Sequence, residues 1–117
     1  MTKRILLNSV KLVAAGVALT TMVYSPAWGD DAKQVYADKC ASCHGDSGKG
    51  DGPAGAALSP PPKPFAQSLK GKADDWIAKV TKEGGPAVGL PATMPPAADL
   101  SDAQLKDLVA YMKQLAK

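Results

Sequence analysis

From residue 30 onward the apolar positions recur at helical spacing. The clearest run is Leu105, Leu108, Val109, Met112 and Leu115, one face of a helix predicted from about 101 to 115. Its start is written as Leu100-Ser101-Asp102-Ala103-Gln104-Leu105. Ser101 as N-cap with Gln104 three residues later is a capping box, and Leu100 and Leu105 stand where a hydrophobic staple places them. A middle helix, roughly 73 to 83, turns Trp76, Ile77 and Val80 inward and stops at Gly84–Gly85. An earlier one starts near Asp31, and its Ala32, Tyr36 and Cys40, four apart, share one face. No stretch keeps the period-2 alternation of a strand. Gly and Pro gather from Gly45 to Pro64 and from Gly84 to Pro96, and Pro60-Pro61-Pro62-Lys63-Pro64 reads as a stiff polyproline-like connector. The predicted class is all-α, about three to four helices joined by long Gly/Pro-rich loops, in one domain.

Residues 1–29 follow another pattern. Lys3, Arg4 and Lys11 precede an apolar run from Leu12 to Tyr24, and the small residues Ala27 and Gly29 flank Trp28. This is the layout of a secretory signal peptide, with cleavage expected after Gly29 or Ala27. The run is shorter than the roughly 20 residues a spanning helix needs; the other reading is an uncleaved anchor. Three of the 14 basic residues fall in this segment and all 11 acidic residues lie beyond it, so residues 30–117 are balanced, 11 against 11. The apparent basicity therefore belongs to the targeting segment and makes no case for nucleic-acid binding.

The expected mature chain is poor in bulky side chains, with Tyr36, Phe65, Trp76 and Tyr111 its only aromatics. A core so thin calls for a disulfide, a metal or a cofactor. Residues 40–44, CASCH, hold the only two cysteines and the only histidine. A thioredoxin-like dithiol should open a helix after a strand; this one follows a helix and runs into a glycine-rich loop. A closed zinc site needs four ligands, so an Asp or a second protomer would have to contribute. C-x-x-C-H also signals covalent haem attachment, each thiol adding to one vinyl group and the histidine facing the iron. With an export signal and a core in need of a cofactor, haem is the preferred reading. The glycines between 45 and 55 match neither a P-loop nor an EF-hand pattern.

From Ala32 to Leu115 the chain resembles the small bacterial mono-haem class I cytochromes c. The resemblance rests, in order, on Ala32-x-x-x-Tyr36-x-x-x-Cys40-Ala-Ser-Cys43-His44-Gly45, on Gly-Asp-Gly-Pro53, on Met94-Pro95-Pro96 and on Leu108-Val109-Ala110-Tyr111. The family often has Gly where Ala32 stands, which implies a slightly wider helix crossing. It implies the cytochrome c fold around one haem c, held through Cys40 and Cys43, with His44 as one axial ligand. The family's other axial ligand is a loop methionine, and Met94, braced by Pro95 and Pro96, occupies such a loop; Met112 lies on the apolar face of the last helix, where packing explains it. The Pro53 carbonyl is the expected acceptor for the second ring nitrogen of His44, although Pro53 also suits a plain turn. Trp76 has two readings, a hydrogen bond to a haem propionate or core packing, of which packing is favoured.

Implied with the family is a periplasmic electron carrier, not an enzyme, cycling one haem between ferric and ferrous states. Its partners would be redox proteins, met as a monomer with no membrane span once the signal is removed. Lys49 and Lys63 are candidates for steering them. Two alternatives stand beside it: a haem protein that binds or senses a small ligand, or the subunit through which electrons enter a larger periplasmic oxidoreductase.

Overall fold

The computed structural model describes residues 28–117, together with the isolated positions Gly16 and Ala18; the expected signal segment otherwise lies outside the described residues except for Trp28 and Gly29. Five helices follow one another: α1 (Trp28–Lys39), α2 (Ala41–His44), α3 (Phe65–Ser68), α4 (Asp74–Glu83) and α5 (Asp102–Leu115). Single 3₁₀ turns stand at Gly55–Ala57 and Gly85–Val88, and no strand is found among the described residues. None of the described helices is long and apolar enough to cross a membrane.

Local sequence accounts for the three long helices. Ser101 Oγ accepts from the Gln104 amide at 3.2 Å while Gln104 Oε1 accepts from the Ser101 amide at 3.0 Å, so the capping box forms in both directions. Leu100 and Leu105 are both buried beneath it. In α4, Asp74 and Asp75 occupy the first turn and Lys82 the last, matching the sign of the helix dipole at each end. The helix ends where Gly84 donates its amide to the Val80 carbonyl at 3.0 Å. The first helix begins at Trp28, ahead of the expected start near Asp31. The four-residue helices α2 and α3 have no counterpart in the sequence pattern, being too short to show a period.

α1 and α5 make the most extensive helix pairing, and α5 also packs against α4 and α3. Two ion pairs give the sense of the α4–α5 pair: Lys82 near the end of α4 meets Asp102 at the start of α5 (3.1 Å), and Lys113 near the end of α5 meets Asp74 at the start of α4 (2.6 Å). The two helices are therefore antiparallel. The helices enclose one core of Tyr36, Phe65, Ile77, Leu100, Leu105, Leu108, Val109 and Met112. Its edge is lined by half-buried residues that include Trp76 and Tyr111. Beyond Pro60, whose peptide bond with Ser59 is cis, residues 61–64 are irregular, and Pro64 has the extended dihedrals of polyproline (φ −54°, ψ 141°).

Candidate functional site

Cys40 breaks the path of α1 for a single residue (φ −123°, ψ −37°) before Ala41–His44 closes another helical turn. Its carbonyl accepts from the amides of Cys43 at 3.2 Å and His44 at 2.9 Å, so the CASCH stretch is wound as one turn. Both thiols are half-buried and not joined to each other. Burial pushes the Cys40 thiol up to about 11, with Cys43 adding to the rise and Lys39 opposing it. A dithiol redox nucleophile needs the opposite, a depressed thiol pKa. Nor do three or more His, Cys, Asp or Glu side chains gather into a metal-ion site anywhere among the described residues.

Burial also lowers the His44 imidazole pKa below its ordinary value, which keeps the ring neutral at neutral pH, the form that binds metal. The ring lies against Phe65, with centroids 4.9 Å apart and planes tilted by 32°. Tyr36 fixes the backbone behind it: its hydroxyl, buried, donates to the Gly45 carbonyl at 2.7 Å. His44 Nδ1 is buried with no hydrogen-bond partner among the described residues. The Pro53 carbonyl does not reach it in this structure. The loop is instead pinned to the CASCH turn by the Gly50 amide on the His44 carbonyl (2.7 Å) and the Ala54 amide on the Ser42 carbonyl (2.9 Å), while Pro53 itself is exposed. Gly52 lies so close over the carbonyls of Ala41 and Ser42 that a Cβ there would collide with them.

Two free thiols one turn apart and a neutral imidazole directly after them are what a covalently attached haem would use. The donor set therefore fits that group.

Met94 is half-buried in the irregular chain between α4 and α5, and its carbonyl accepts from the Gly85 amide at 3.0 Å. Met112 is 4% exposed and belongs to the core. Trp76 sits half-buried at the core edge with the Lys72 ammonium 4.5 Å from its ring centroid; packing and a cation–π contact are the roles seen for it. Lys49 and Lys63 are both exposed and in no ion pair of the described residues. They flank one junction, because the Pro62–Lys63 backbone lies directly against Gly50.

Two contributions escaped the sequence pattern. Phe65 stood there only as one of four aromatics, although a lone aromatic after a proline-rich connector was a usable signal. Gly84–Gly85 read as a helix stop alone, whereas Gly85 also holds the Met94 carbonyl.

The comparisons agree with this geometry. A family model described as cytochrome c matches residues 29–116. Among curated proteins, the chain is 36% identical over 83 residues to a thiosulfate dehydrogenase of Stutzerimonas stutzeri (strain A1501), covering 68% of this chain and 25% of that protein. It is 35% identical over 105 residues to the cbb3-type cytochrome c oxidase subunit FixPc of Rhizobium leguminosarum bv. viciae, covering 88% and 33%. Against the FixP subunit of Rhizobium meliloti (strain 1021) the identity is 36% over 100 residues, covering 85% and 32%. The chain thus spans a quarter to a third of the length of these relatives. A match that runs through nearly every described residue, and includes the Cys40–Cys43 pair, makes this chain a member of the cytochrome c family, an electron-transfer domain whose cysteine pair implies covalently bound haem c.

Proposed function

We propose that the chain loses residues 1–29 on export and carries one haem c on Cys40 and Cys43, with His44 and Met94 as its axial residues. It then serves as a periplasmic, monomeric one-electron carrier. The observation that carries this reading is the CASCH turn, with two unjoined thiols followed directly by a neutral imidazole. When bound, haem c supplies a one-electron cycle between ferric and ferrous iron. What reaches the iron is decided by the chain. His44 is the sole histidine, and Met94 is the one methionine outside both the leader and the α5 core. Haem iron held by this pair would have a raised reduction potential and would offer a substrate no place to bind, which suits a carrier better than an enzyme. With residues 30–117 balanced in charge, attraction of an acidic partner face falls to local lysines such as Lys49 and Lys63. Redox encounters of this kind use small interfaces.

The electronic spectrum of the matured protein is the test. Its ferric form should show the methionine-sulfur-to-iron charge-transfer band, absent in Met94→Ala and retained in Met112→Ala. Rapid carbon monoxide binding by the wild-type ferrous form would overturn the carrier reading in favour of a ligand-binding or sensing haem. An intact mass equal to residues 30–117 plus one haem checks attachment and cleavage together; a mass that retains the leader would mean an anchored protein.

The relatives favour one alternative. By their names two belong to a cbb3-type oxidase and one is a dehydrogenase, so the same site also suits the subunit through which electrons enter a larger periplasmic oxidoreductase. A partner that co-purifies from the native source in fixed ratio would favour that reading over a free carrier.

A further inference from the structure

Three backbone bonds tie the chain around Met94 to the last turn of α4 and to Gly85 just beyond it. The Gly85 amide donates to the Met94 carbonyl at 3.0 Å, the Leu90 amide to the Gly85 carbonyl at 2.9 Å, and the Ala97 amide to the Thr81 carbonyl at 2.9 Å. Thr81 is buried, 3% exposed, and its hydroxyl donates back to the Ile77 carbonyl at 2.7 Å. Between these ties the contact is backbone on backbone. A Cβ on Gly84 would lie 3.1 Å from the Met94 carbonyl oxygen and 3.2 Å from the Pro96 nitrogen, and one on Gly85 would run into the Pro91 carbonyl. Gly84 also has φ 88° and ψ 170°, a region open in practice to glycine alone. Stopping α4 needs one glycine. The second, and the close approach at both, need another explanation.

We propose that Gly84 and Gly85 are positioning residues that seat the Met94 loop against the end of α4 and so set how firmly Met94 holds the iron. The proposal rests on the reading of Met94 as an axial residue. Neither glycine touches the sulfur; each acts through the loop backbone.

The experiment compares Gly84→Ala, Gly89→Ala and Met94→Ala in the matured haem protein. Gly89 also has a positive φ, 78°, but nothing lies within 4 Å of a Cβ placed on it, so its variant reports loop strain without loss of the seat. Gly84→Ala should keep its attached haem and helix content. It should lose most of the charge-transfer band, lower its midpoint potential and gain carbon monoxide binding; Gly89→Ala should match wild type in all three. An unchanged band and potential in Gly84→Ala would overturn the proposal, as would equal losses in both glycine variants. A band that persists in Met94→Ala would instead overturn the axial reading beneath it. Hydrogen exchange on the unmutated protein gives a check that needs no variant. The Gly85 and Ala97 amides should be protected, and exchange at the rate of unbonded loop amides would sink the seat.

Discussion

Tyr36 shows how much one side chain of α1 contributes to the site. It is 2% exposed, its ring meets Phe65 and Tyr111 edge-on at 6.1 and 5.4 Å, and its hydroxyl holds the Gly45 carbonyl directly after His44. Desolvation by burial, first, and the nearby Cys40 next push its phenol above its usual range, so the donor stays protonated. Tyr36→Phe strips a buried carbonyl of its donor, which costs about 1–3 kcal/mol and should lower the thermal midpoint of the matured protein. The sign of the pH dependence follows from the raised pKa. The stabilisation is fully present below the unfolded phenol value of about 10 and is lost as pH rises beyond it. Wild type and Tyr36→Phe should therefore differ by a constant amount near neutrality and converge in alkaline solution. A difference that grows with pH would contradict this. The helical period alone placed Tyr36 on the inner face of α1. That its hydroxyl returns to Gly45 could not be read, because a bond across nine residues depends on the path of the loop. The same limit hid the contact of Phe65 with His44.

Among the elements, α5 was the most legible because everything that starts and faces it is local. Its cap, staple and apolar stripe lie within 16 residues, from Leu100 to Leu115, and all form as read. α4 was legible for the same reason. α2 and α3 were not, since four residues cannot show a period of 3.6. Each part of α5 carries a definite expectation. Ser101→Ala removes one arm of the box and should cost about 1 kcal/mol, seen as faster hydrogen exchange in the first turn of α5 and a lower midpoint. Leu108, fully buried where the core is formed, should cost about 2–5 kcal/mol as Leu108→Ala. The Lys113–Asp74 pair joins partners that are 49% and 67% exposed, so Lys113→Ala should cost no more than about 1 kcal/mol, an effect that fades at high salt. A larger loss at Ser101 or Lys113 than at Leu108 would mean that the helix is held by its ends and not by its buried face.

At the scale of the whole molecule, the core of eight side chains is drawn from α1, α3, α4, α5 and Leu100, two residues before α5. The chain between α2 and α4 adds only Phe65 to it, with Leu69 half-buried at its edge; apart from these and Leu58 the segment is glycine, proline, alanine and polar residues. Beyond the backbone bonds that pin it to the CASCH turn, that segment's order has to come from what it encloses. The sequence signalled this need through its few aromatics, although it could not show which loop would wrap the site. If a covalently held haem fills that role, attachment is a folding term as well as a redox one. The doubly substituted chain Cys40→Ser/Cys43→Ser, which has no thiol to attach haem, should lose helical circular dichroism and melt at least about 10 °C below the matured wild type. At 4–8 °C per kcal/mol for a domain of this size, that is a loss of at least about 1.3–2.5 kcal/mol. Met94→Ala keeps both thiols and should fall between the two, because it gives up one axial contact while the enclosed group stays in place. The order of the three midpoints separates enclosure from ligation. If Met94→Ala melts as low as the double cysteine variant, the iron–methionine contact holds the fold. If the double cysteine variant melts with wild type, the eight-residue core is sufficient alone and the thin-core argument fails.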